Sequence, residues 1–245
     1  MTKVLCVIPA RLNSTRLPRK MLAKIGSRPL IAHTYLAAKK CKKFEEVVVA
    51  TDSDEIAMAL QEYDANVILS PESLKTGSDR VAFVAEKKDC DVVVNLQGDE
   101  PFIDVNVLNA LVEPMIENSA NQIATAASPL DWSTDYNSSD LVKVVCDTKN
   151  YALYFSRAPI PYMKVKTAQS SLPVYKHMGL YAFRKKFLLK FAKMPQSPLE
   201  LAESLEQLRA LENGYAIKVA ICDYRSIEIN NQKELDAARE YWTNL

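Results

Sequence analysis

Four short, strongly apolar runs alternate with segments of helical periodicity in the first half of the chain, and this alternation limits the fold more than any other feature. The runs are "KVLCVIP", "EEVVVAT", "NVIL" and "CDVVVNL". The helical patterns that follow them cover residues 29–41, 54–63, 79–88 and 105–117. Strands this apolar are covered on both faces, so the pattern predicts a parallel sheet wound with helices.

The pattern changes at about residue 120. Strand-like pieces become more frequent ("QIATAAS", "LVKVVCD", "YALYFS" and "VYKHMGLYAF"), and helical patterns occur at 184–192, 203–213 and 233–242. We interpret these pieces as the remaining strands of the sheet and a smaller mixed lobe. The predicted fold class is therefore α/β, with a doubly wound, mostly parallel sheet. We predict one domain over residues 1–245, with halves at 1–120 and 121–245.

Charge and cysteine usage exclude several classes of protein. The 245-residue chain has a formal net charge of +1 with acids and bases interspersed, which argues against binding of nucleic acid or anionic lipid. The five cysteines are widely spaced without a CxxC pair, so neither a disulfide framework nor a zinc site is indicated. We find neither a long apolar run nor a signal-peptide pattern, and we expect a cytoplasmic protein without membrane insertion.

Four cations follow the first apolar run: Arg11, Arg16, Arg19 and Lys20, in "IPARLNSTRLPRKML". They lie between a predicted strand and a predicted helix, where backbone amides and the helix dipole favour an anion. The loop has neither the GxxxxGK[ST] pattern nor the GxGxxG pattern. A solvated turn is the alternative, but the density of charge favours a polyphosphate site.

Two further segments, "TGSDR" (76–80) and "QGDEP" (97–101), are expected at the same edge of the sheet as this loop. Asp99 follows a very apolar strand, where a carboxylate is unusual unless it meets a cation; a helix cap is the alternative. Mg²⁺ is commonly bound by one or two carboxylates together with substrate phosphates. The basic loop and Asp99 therefore suggest metal-assisted chemistry on a nucleoside triphosphate.

Six segments together resemble the CMP-Kdo synthetases, the 3-deoxy-manno-octulosonate (Kdo) cytidylyltransferases of lipopolysaccharide synthesis. They are "IPARLNSTRLPRK", "TGSDR", "VNLQGDEP", "ALYFSRAPIP", "YKHMGLYAFRKKFL" and "AESLEQLRALENG". "PARxxSTRLPxK" is shared with other sugar cytidylyltransferases, whereas "YFSRxPIP" with "ESLEQLRALENG" is specific to this family. The resemblance implies a fold of the nucleotide-diphospho-sugar transferase type. It also implies transfer of CMP from CTP to the anomeric hydroxyl of an eight-carbon keto-sugar acid, with Mg²⁺ and release of pyrophosphate.

The resemblance also implies which residues form the site. The positions that match the nucleotide-binding residues of the family are Arg11, Ser14, Lys20, Gly77, Ser78, Arg80 and Gln97. Those that match its sugar-binding residues are Gln97, Arg157, His177, Tyr181, Glu206 and Gln207. The implied catalytic residues are Arg11, Lys20 and Asp99, and the implied metal ligands are Asp99 and Asn230.

Several of these residues also have a purely structural interpretation. Ser78 is a candidate cap for a helix that starts at this glycine-containing segment. His177 and Tyr181 suit a buried strand, and Glu206 with Gln207 suit the exposed face of a helix. A guanidinium remains the natural partner of a sugar-acid carboxylate, which agrees with the role implied for Arg157.

This chain departs from the family pattern in two places. "LPRKML" stands where the family has "LPGKPL", so Arg19 either alters the turn or adds a fourth cation to the phosphate site. In "SIEINNQKEL" (226–235) the family aspartate, a metal ligand, falls on Asn230, which brings no charge. Asp223 and Glu228 are the nearby carboxylates, and strand alternation favours Glu228 because it shares a face with Asn230. For Arg16, pairing with a neighbouring carboxylate and binding of phosphate remain open.

We therefore favour an active Mg²⁺-dependent cytidylyltransferase for Kdo or a close analogue such as 8-amino-Kdo. One alternative is a nucleotide-binding homologue whose turnover is impaired by Asn230. Another is a cytidylyltransferase for a different nonulosonic acid, which "ESLEQLRALENG" disfavours. The expected partners are CTP, the sugar acid and, because the family commonly dimerises, a second copy of the chain.

Overall fold

A computed structural model describes residues 2–14, 16–74, 76–164, 172–224 and 227–244. Thr15 of the basic loop and Ser226 of the C-terminal segment lie outside these ranges. The chain divides into two compact units, unit 1 (Met1–Asn109 with Ser226–Leu245) and unit 2 (Ala110–Arg225). The C-terminal segment thus belongs to unit 1, which the proposed halves did not anticipate, and the single domain stays a prediction.

Unit 1 contains four parallel strands, β1 Val4–Ala10, β4 Glu46–Thr51, β5 Asn66–Leu69 and β6 Val92–Asn95. Their spatial order is β6, β1, β4, β5. β1 is central and pairs with β4 on one side and β6 on the other. Every residue of β1 is buried, as expected for a strand covered on both faces.

Three helices of unit 1 follow these strands in sequence, and a fourth is formed by the C-terminal segment. They are α1 Leu30–Lys39, α2 Asp54–Leu60, α3 Gly77–Glu86 and α8 Gln232–Thr243, with 3-10 turns at Lys20–Leu22 and Gln61–Tyr63. The boundary between the units falls within α4 Val105–Glu117. A small hairpin, β2 Lys24–Ile25 and β3 Arg28–Pro29, separates the basic loop from α1. The loop therefore lies between β1 and α1 as predicted, with the hairpin inserted before the helix, and an effect of the α1 dipole on its cations stays a prediction.

A capping box sets the start of α3. The Thr76 hydroxyl accepts from the Asp79 N–H at 3.0 Å, and the Asp79 carboxylate accepts from the Thr76 N–H at 3.0 Å. The suggestion that Ser78 caps this helix is wrong. Ser78 instead lies buried in the first turn.

The described residues of unit 2 form five strands, β7 Ile123–Pro129, β8 Lys143–Cys146, β9 Ala152–Ser156, β10 Val174–Arg184 and β11 Ile217–Ile221. Their spatial order is β11, β7, β10, β8, β9. β7 and β11 are parallel, while β10 runs antiparallel to β7 and β8 and is irregular between Met178 and Tyr181. The helices are α5 Lys185–Phe191, α6 Pro198–Glu203 and α7 Leu208–Glu212.

The helix expected at 203–213 is interrupted in the structure. Ser204 has a φ of 53°, a left-handed conformation that ends α6. Consequently Glu206 and Gln207 lie in the turn before α7 rather than on a continuous helical face. None of the described helices is long and apolar enough to cross a membrane.

Candidate functional site

Three segments of unit 1 meet beside the carboxyl end of β1. A Cβ placed on Gly77 would lie 3.5 Å from Pro9 and 3.8 Å from the side-chain amide of Gln97. A Cβ on Gly98 would lie only 3.1 Å from the Met21 sulfur and from the Pro9 carbonyl oxygen. The predicted convergence of the three segments is confirmed, and close packing favours glycine at position 98.

Lys20 and Asp99 form the central ion pair of this region. Lys20 Nζ donates to Asp99 Oδ2 at 2.5 Å, and the two side chains are only 9% and 14% exposed. The other carboxylate oxygen, Asp99 Oδ1, is buried and has no hydrogen-bond partner within the described residues. A buried carboxylate oxygen without a donor is costly, so Oδ1 is suited to a cation that arrives with the substrate.

The C-terminal segment adds a second carboxylate next to this pair. The Ile229 N–H donates to the backbone oxygen of Asp99 at 3.1 Å, and the Ile229 side chain is buried. Its neighbours Glu228 and Asn230 share the other side, where Asn230 Nδ2 donates to Glu228 Oε1 at 2.9 Å. Arg16 Nη2 donates to Asn230 Oδ1 at 3.3 Å. Asn230 therefore joins Arg16 to Glu228, and the partner found for Arg16 is an amide rather than a carboxylate.

The electrostatics of Glu228 favour a cation at this point. Loss of hydration next to the surrounding protein raises the pKa of the Glu228 carboxyl, and the negative charge of the nearby Asp99 carboxylate raises it further. The hydrogen bond from Asn230 and the charge of Lys20 act in the opposite direction. Two carboxylates that repel each other in this way would be relieved by a divalent ion.

The donor set fits Mg²⁺ as a shared ligand of protein and substrate. Carboxylate oxygens are hard ligands of the kind that Mg²⁺ prefers. The described residues contain no group of three or more His, Cys, Asp or Glu side chains arranged to hold a metal ion. A magnesium ion at Asp99 and Glu228 would therefore complete its coordination with phosphate oxygens and water.

Arg80 is held inside unit 1 by contacts between loops. Its fully buried guanidinium donates from Nη2 to Asp52 at 2.9 Å and from Nη1 to the Ser70 hydroxyl. These two residues follow β4 and β5, so Arg80 fixes the carboxyl ends of both strands. Its role in nucleotide binding stays a prediction, as do those of Arg11, which is exposed, and Ser14, which is half-buried.

Arg19 resolves one of the two departures from the family pattern. It adopts a left-handed conformation with a φ of 57°, the conformation that glycine takes at least cost. Its guanidinium pairs with Glu55 in the first turn of α2, and both side chains are exposed. The turn thus keeps a glycine-type backbone, and the charge of Arg19 is balanced by Glu55.

His177 in unit 2 is a half-buried, neutral ring. Its Nε2 lies 2.9 Å from the Thr125 hydroxyl, which itself lies 2.7 Å from the Leu180 carbonyl oxygen and 3.2 Å from that of Met178. Because the single hydroxyl proton goes to a carbonyl, His177 donates from Nε2, and its Nδ1 is an acceptor. Burial lowers the pKa of His177 to about 3, so the ring stays neutral near pH 7.

The other predicted sugar ligands also lie in unit 2. Tyr181 packs on His177 with ring centroids 5.6 Å apart, and burial, then the charge of Glu206, raises the pKa of its hydroxyl. Gln207 is buried, and its Nε2 has no hydrogen-bond partner within the described residues. A donor on Gln207 and an acceptor on His177 suit a ligand rich in hydroxyl groups.

Arg157 follows β9 and is held by residues that sequence reasoning missed. Its Nε donates to the Glu203 backbone oxygen at 3.0 Å, its Nη1 to the Ser139 oxygen at 3.3 Å, and its N–H to Glu203 Oε2 at 2.9 Å. Its carbonyl oxygen accepts from the buried Lys143 at 2.5 Å. Lys143 could have been noticed in the sequence, because it is a charged residue inside the otherwise apolar run "LVKVV".

Comparisons with known proteins find similar chains over nearly the whole length. The family model described as Cytidylyltransferase matches residues 5–221. A 3-deoxy-manno-octulosonate cytidylyltransferase of Acaryochloris marina is 46% identical over 237 residues, which cover 96% of each chain. One of Geobacter sulfurreducens is 42% identical over 245 residues, covering 97% of this chain and 98% of the relative. A solved CMP:2-keto-3-deoxy-manno-octonic acid synthetase complexed with CTP has a TM-score of 0.93, with 34% identity and 99% coverage of both chains.

Proposed function

Since the chain belongs to the 3-deoxy-manno-octulosonate cytidylyltransferase family of nucleotidyltransferases, we propose that it transfers CMP from CTP to the anomeric hydroxyl of Kdo and releases pyrophosphate. The resemblance found in the sequence is confirmed by the relatives, and the α/β fold class by the solved structure. The observation that carries the proposal is the buried Lys20–Asp99 pair, which leaves one carboxylate oxygen without a donor.

The cations of unit 1 support binding of a triphosphate. Attack on the α-phosphorus develops negative charge on the bridging and leaving oxygens, and fixed cations stabilise that charge. Within the described residues, Lys20 uses one of its three N–H donors on Asp99. Two donors therefore remain for phosphate oxygens. The exposed Arg11 adds a further charge.

Asp99 and Glu228 would hold the magnesium ion. When bound, Mg²⁺ polarises phosphoryl oxygens and neutralises charge as a Lewis acid. Asn230 is the weaker candidate because its amide oxygen already accepts from Arg16. Glu228 then supplies the charge that Asn230 lacks, which favours the active enzyme over a homologue with impaired turnover.

Unit 2 offers groups that suit the sugar acid. Arg157 is the candidate for the carboxylate, since guanidinium donors match carboxylate oxygens in pairs. His177 Nδ1 is an acceptor for a sugar hydroxyl, and Gln207 Nε2 is a donor.

Pyrophosphate release from the purified protein with CTP and Mg²⁺ tests the activity. We expect turnover with Kdo and none without a sugar acid. 8-Amino-Kdo and a nine-carbon nonulosonic acid, assayed in parallel, measure specificity by the ratio of kcat/KM. Binding of CTP without turnover on any acid would favour a nucleotide-binding homologue with impaired turnover. A higher kcat/KM on the nine-carbon acid would favour a cytidylyltransferase for a different nonulosonic acid.

Two substitutions test the metal ligands. Glu228→Gln keeps the shape but removes the charge, so we expect the Mg²⁺ concentration for half-maximal activity to rise by about tenfold. Binding of Mn²⁺ in the presence of CTP, followed by electron paramagnetic resonance, should weaken in parallel. Asp223→Asn, which neutralises the other candidate carboxylate, is the matched control. Unchanged Mn²⁺ binding in Glu228→Gln, together with tighter binding in Asn230→Asp, would instead assign position 230 to the metal.

The homodimer is proposed because members of the family commonly dimerise, and the cytoplasmic location is proposed from the sequence. Static light scattering of the purified protein should give twice the mass of one chain. A monomer at micromolar concentration would remove the dimer from the proposal.

A further inference from the structure

Arg157 is fixed at both its backbone and its side chain by partners within unit 2. Its N–H and its Nε both donate to Glu203, the first to the carboxylate at 2.9 Å and the second to the backbone oxygen at 3.0 Å. Nη1 donates to the Ser139 oxygen at 3.3 Å, and the Arg157 carbonyl accepts from Lys143. Nη2 has no hydrogen-bond partner within the described residues, so one edge of the guanidinium is left for a ligand.

Lys143 is the least expected member of this group. It begins β8 with a side chain that is 0% exposed. Its Nζ donates to three backbone carbonyls, those of Ser138 at 2.6 Å, Leu141 at 2.6 Å and Arg157 at 2.5 Å. Three carbonyls require three donors, which an ammonium group has and a neutral amine lacks. The lysine is therefore built into the structure as a buried cation, at the cost of removing a charge from water.

Glu203 provides the matching anion. One of its carboxylate oxygens accepts from the Ser156 hydroxyl at 2.5 Å and the other from the Arg157 N–H. The charge of Glu203 also acts on Lys143, opposite to that of Arg157. A second carboxylate, Asp135, acts on Lys143 in the same direction as Glu203. The charges around Lys143 are thus balanced, and what the group leaves for a ligand is the open edge of Arg157.

We propose that Lys143 and Glu203 are positioning residues that hold Arg157 for an acidic ligand. This inference rests on the proposed function, in which the ligand is the carboxylate of the acceptor sugar. Because Nε and Nη1 are occupied by carbonyl oxygens, the two Nη2 hydrogens and one Nη1 hydrogen remain to bind it, and a carboxylate accepts two parallel N–H bonds from such a fork. Restraint before binding removes part of the cost of ordering a long side chain.

Glu203→Gln tests the inference, with Glu212→Gln as matched control. Glu212 likewise accepts from a serine hydroxyl, that of Ser197, and from a backbone N–H, that of Leu199, but it has no contact with Arg157. We expect Glu203→Gln to raise the KM for the sugar acid about tenfold, the effect of losing one charge-assisted hydrogen bond. The KM for CTP and kcat should stay within twofold, and Glu212→Gln should leave all three constants unchanged.

Further variants separate positioning from folding. Glu203→Asp keeps the charge and should recover part of the lost affinity. Lys143→Met removes all three donors and could prevent folding, so its thermal unfolding midpoint is measured first. Its KM for the sugar acid is compared with that of the wild type only if the variant is folded. Equal KM values for Glu203→Gln and Glu212→Gln, in an active wild-type background, would overturn the inference and leave the proposed function intact. A wild-type protein without turnover would overturn both.

Discussion

The candidate residues of the two units are held by different chemistry. In unit 1 the contacts involve charged side chains that a charged substrate could take over. Lys20 binds Asp99, whose second oxygen lacks a donor within the described residues, and Arg16 donates to the Asn230 amide oxygen. In unit 2, His177 and Arg157 are held by hydroxyl, carbonyl and carboxylate partners of the fold, while Gln207 Nε2 has no partner within the described residues. Unit 1 thus suits a charged triphosphate with its cation, while unit 2 suits a ligand recognised by fixed polar groups.

This contrast follows from the physics of burial. A charged group that must bind a charged substrate keeps its own counter-charge close but exchangeable, since an unpaired buried charge is costly. A neutral imidazole or a guanidinium tied to backbone carbonyls keeps its orientation without such exchange. Substitutions that remove charge should therefore act strongly in unit 1, while changes of pH should be visible at His177 in unit 2.

The largest effect is expected for Asp99→Asn. The amide still accepts from Lys20, so the fold should survive, but the charge toward the metal is lost. We expect kcat/KM to fall by about 10³-fold, because metal and charge stabilisation at a phosphoryl group is worth several kcal/mol. Asp89→Asn, in an exposed pair with Lys3, is the control and should have no effect. An Asp99→Asn enzyme that keeps a tenth of the wild-type activity would show that unit 1 does not depend on this carboxylate.

Acid stability should sharpen the contrast from the side of unit 2. The folded-state pKa of His177 is about 3, below the value of about 6.5 expected for the unfolded chain, so the unfolded chain binds more protons at pH values between them. The stability that depends on neutral His177 is therefore present above about pH 6.5 and is lost as the pH falls, by up to about 1.4 kcal/mol per unit. Urea unfolding of wild type and His177→Gln, measured between pH 7 and pH 5, should show this as a shrinking difference in free energy.

His177→Gln also removes a hydrogen bond, which lowers its free energy of unfolding by an amount that does not depend on pH. The informative quantity is therefore the pH dependence of the difference, which the lost hydrogen bond does not alter. A difference that stays constant from pH 7 to pH 5 would show that the His177 pKa is not lowered. The two units would then not differ in whether neutral or charged groups support their candidate residues.

The sequence predicts the framework of unit 1 well because β1, β4 and β6 are largely buried, although the edge strand β5 is partly exposed. Continuous apolar runs identify such strands directly, and the helix predicted at 105–117 has the bounds of α4. β11 was missed although "IKVAI" is an apolar run like those of unit 1, so that strand was within reach of the sequence pattern. The break at Ser204 was missed because no glycine or proline marks it, and it depends on contacts from elsewhere in the fold.

The candidate sites show the same limit. The convergence of Lys20 and Asp99 was predictable, because carboxyl ends of parallel strands share one edge. The roles of Glu203 and Lys143 were not, since their contacts with Arg157 join residues 46 and 14 positions apart. A lysine in a strand is usually exposed, and sequence alone does not show three carbonyls around it.

The smallest effect is expected for Arg19→Gly, which decides whether Arg19 belongs to the ionic group of unit 1. Glycine relieves a left-handed conformation that costs other residues about 1 kcal/mol, while the exposed pair with Glu55 contributes less than about 1 kcal/mol. Glycine also adds entropy to the unfolded chain, worth about 0.4–1 kcal/mol. These terms nearly cancel, so we expect the free energy of unfolding to change by less than about 1 kcal/mol and the KM for CTP to stay within twofold.

Asp64→Gly is the matched control for this substitution. Asp64 is also exposed and left-handed, with a φ of 49°, but none of the ion pairs among the described residues involves it. The difference between the two variants in urea unfolding therefore isolates the Arg19–Glu55 pair, because the backbone and entropy terms are common to both. A tenfold rise in the KM for CTP in Arg19→Gly alone would make Arg19 a phosphate ligand. The phosphate-binding cations of unit 1 would then include Arg19, and the substrate would compete with Glu55 for its guanidinium.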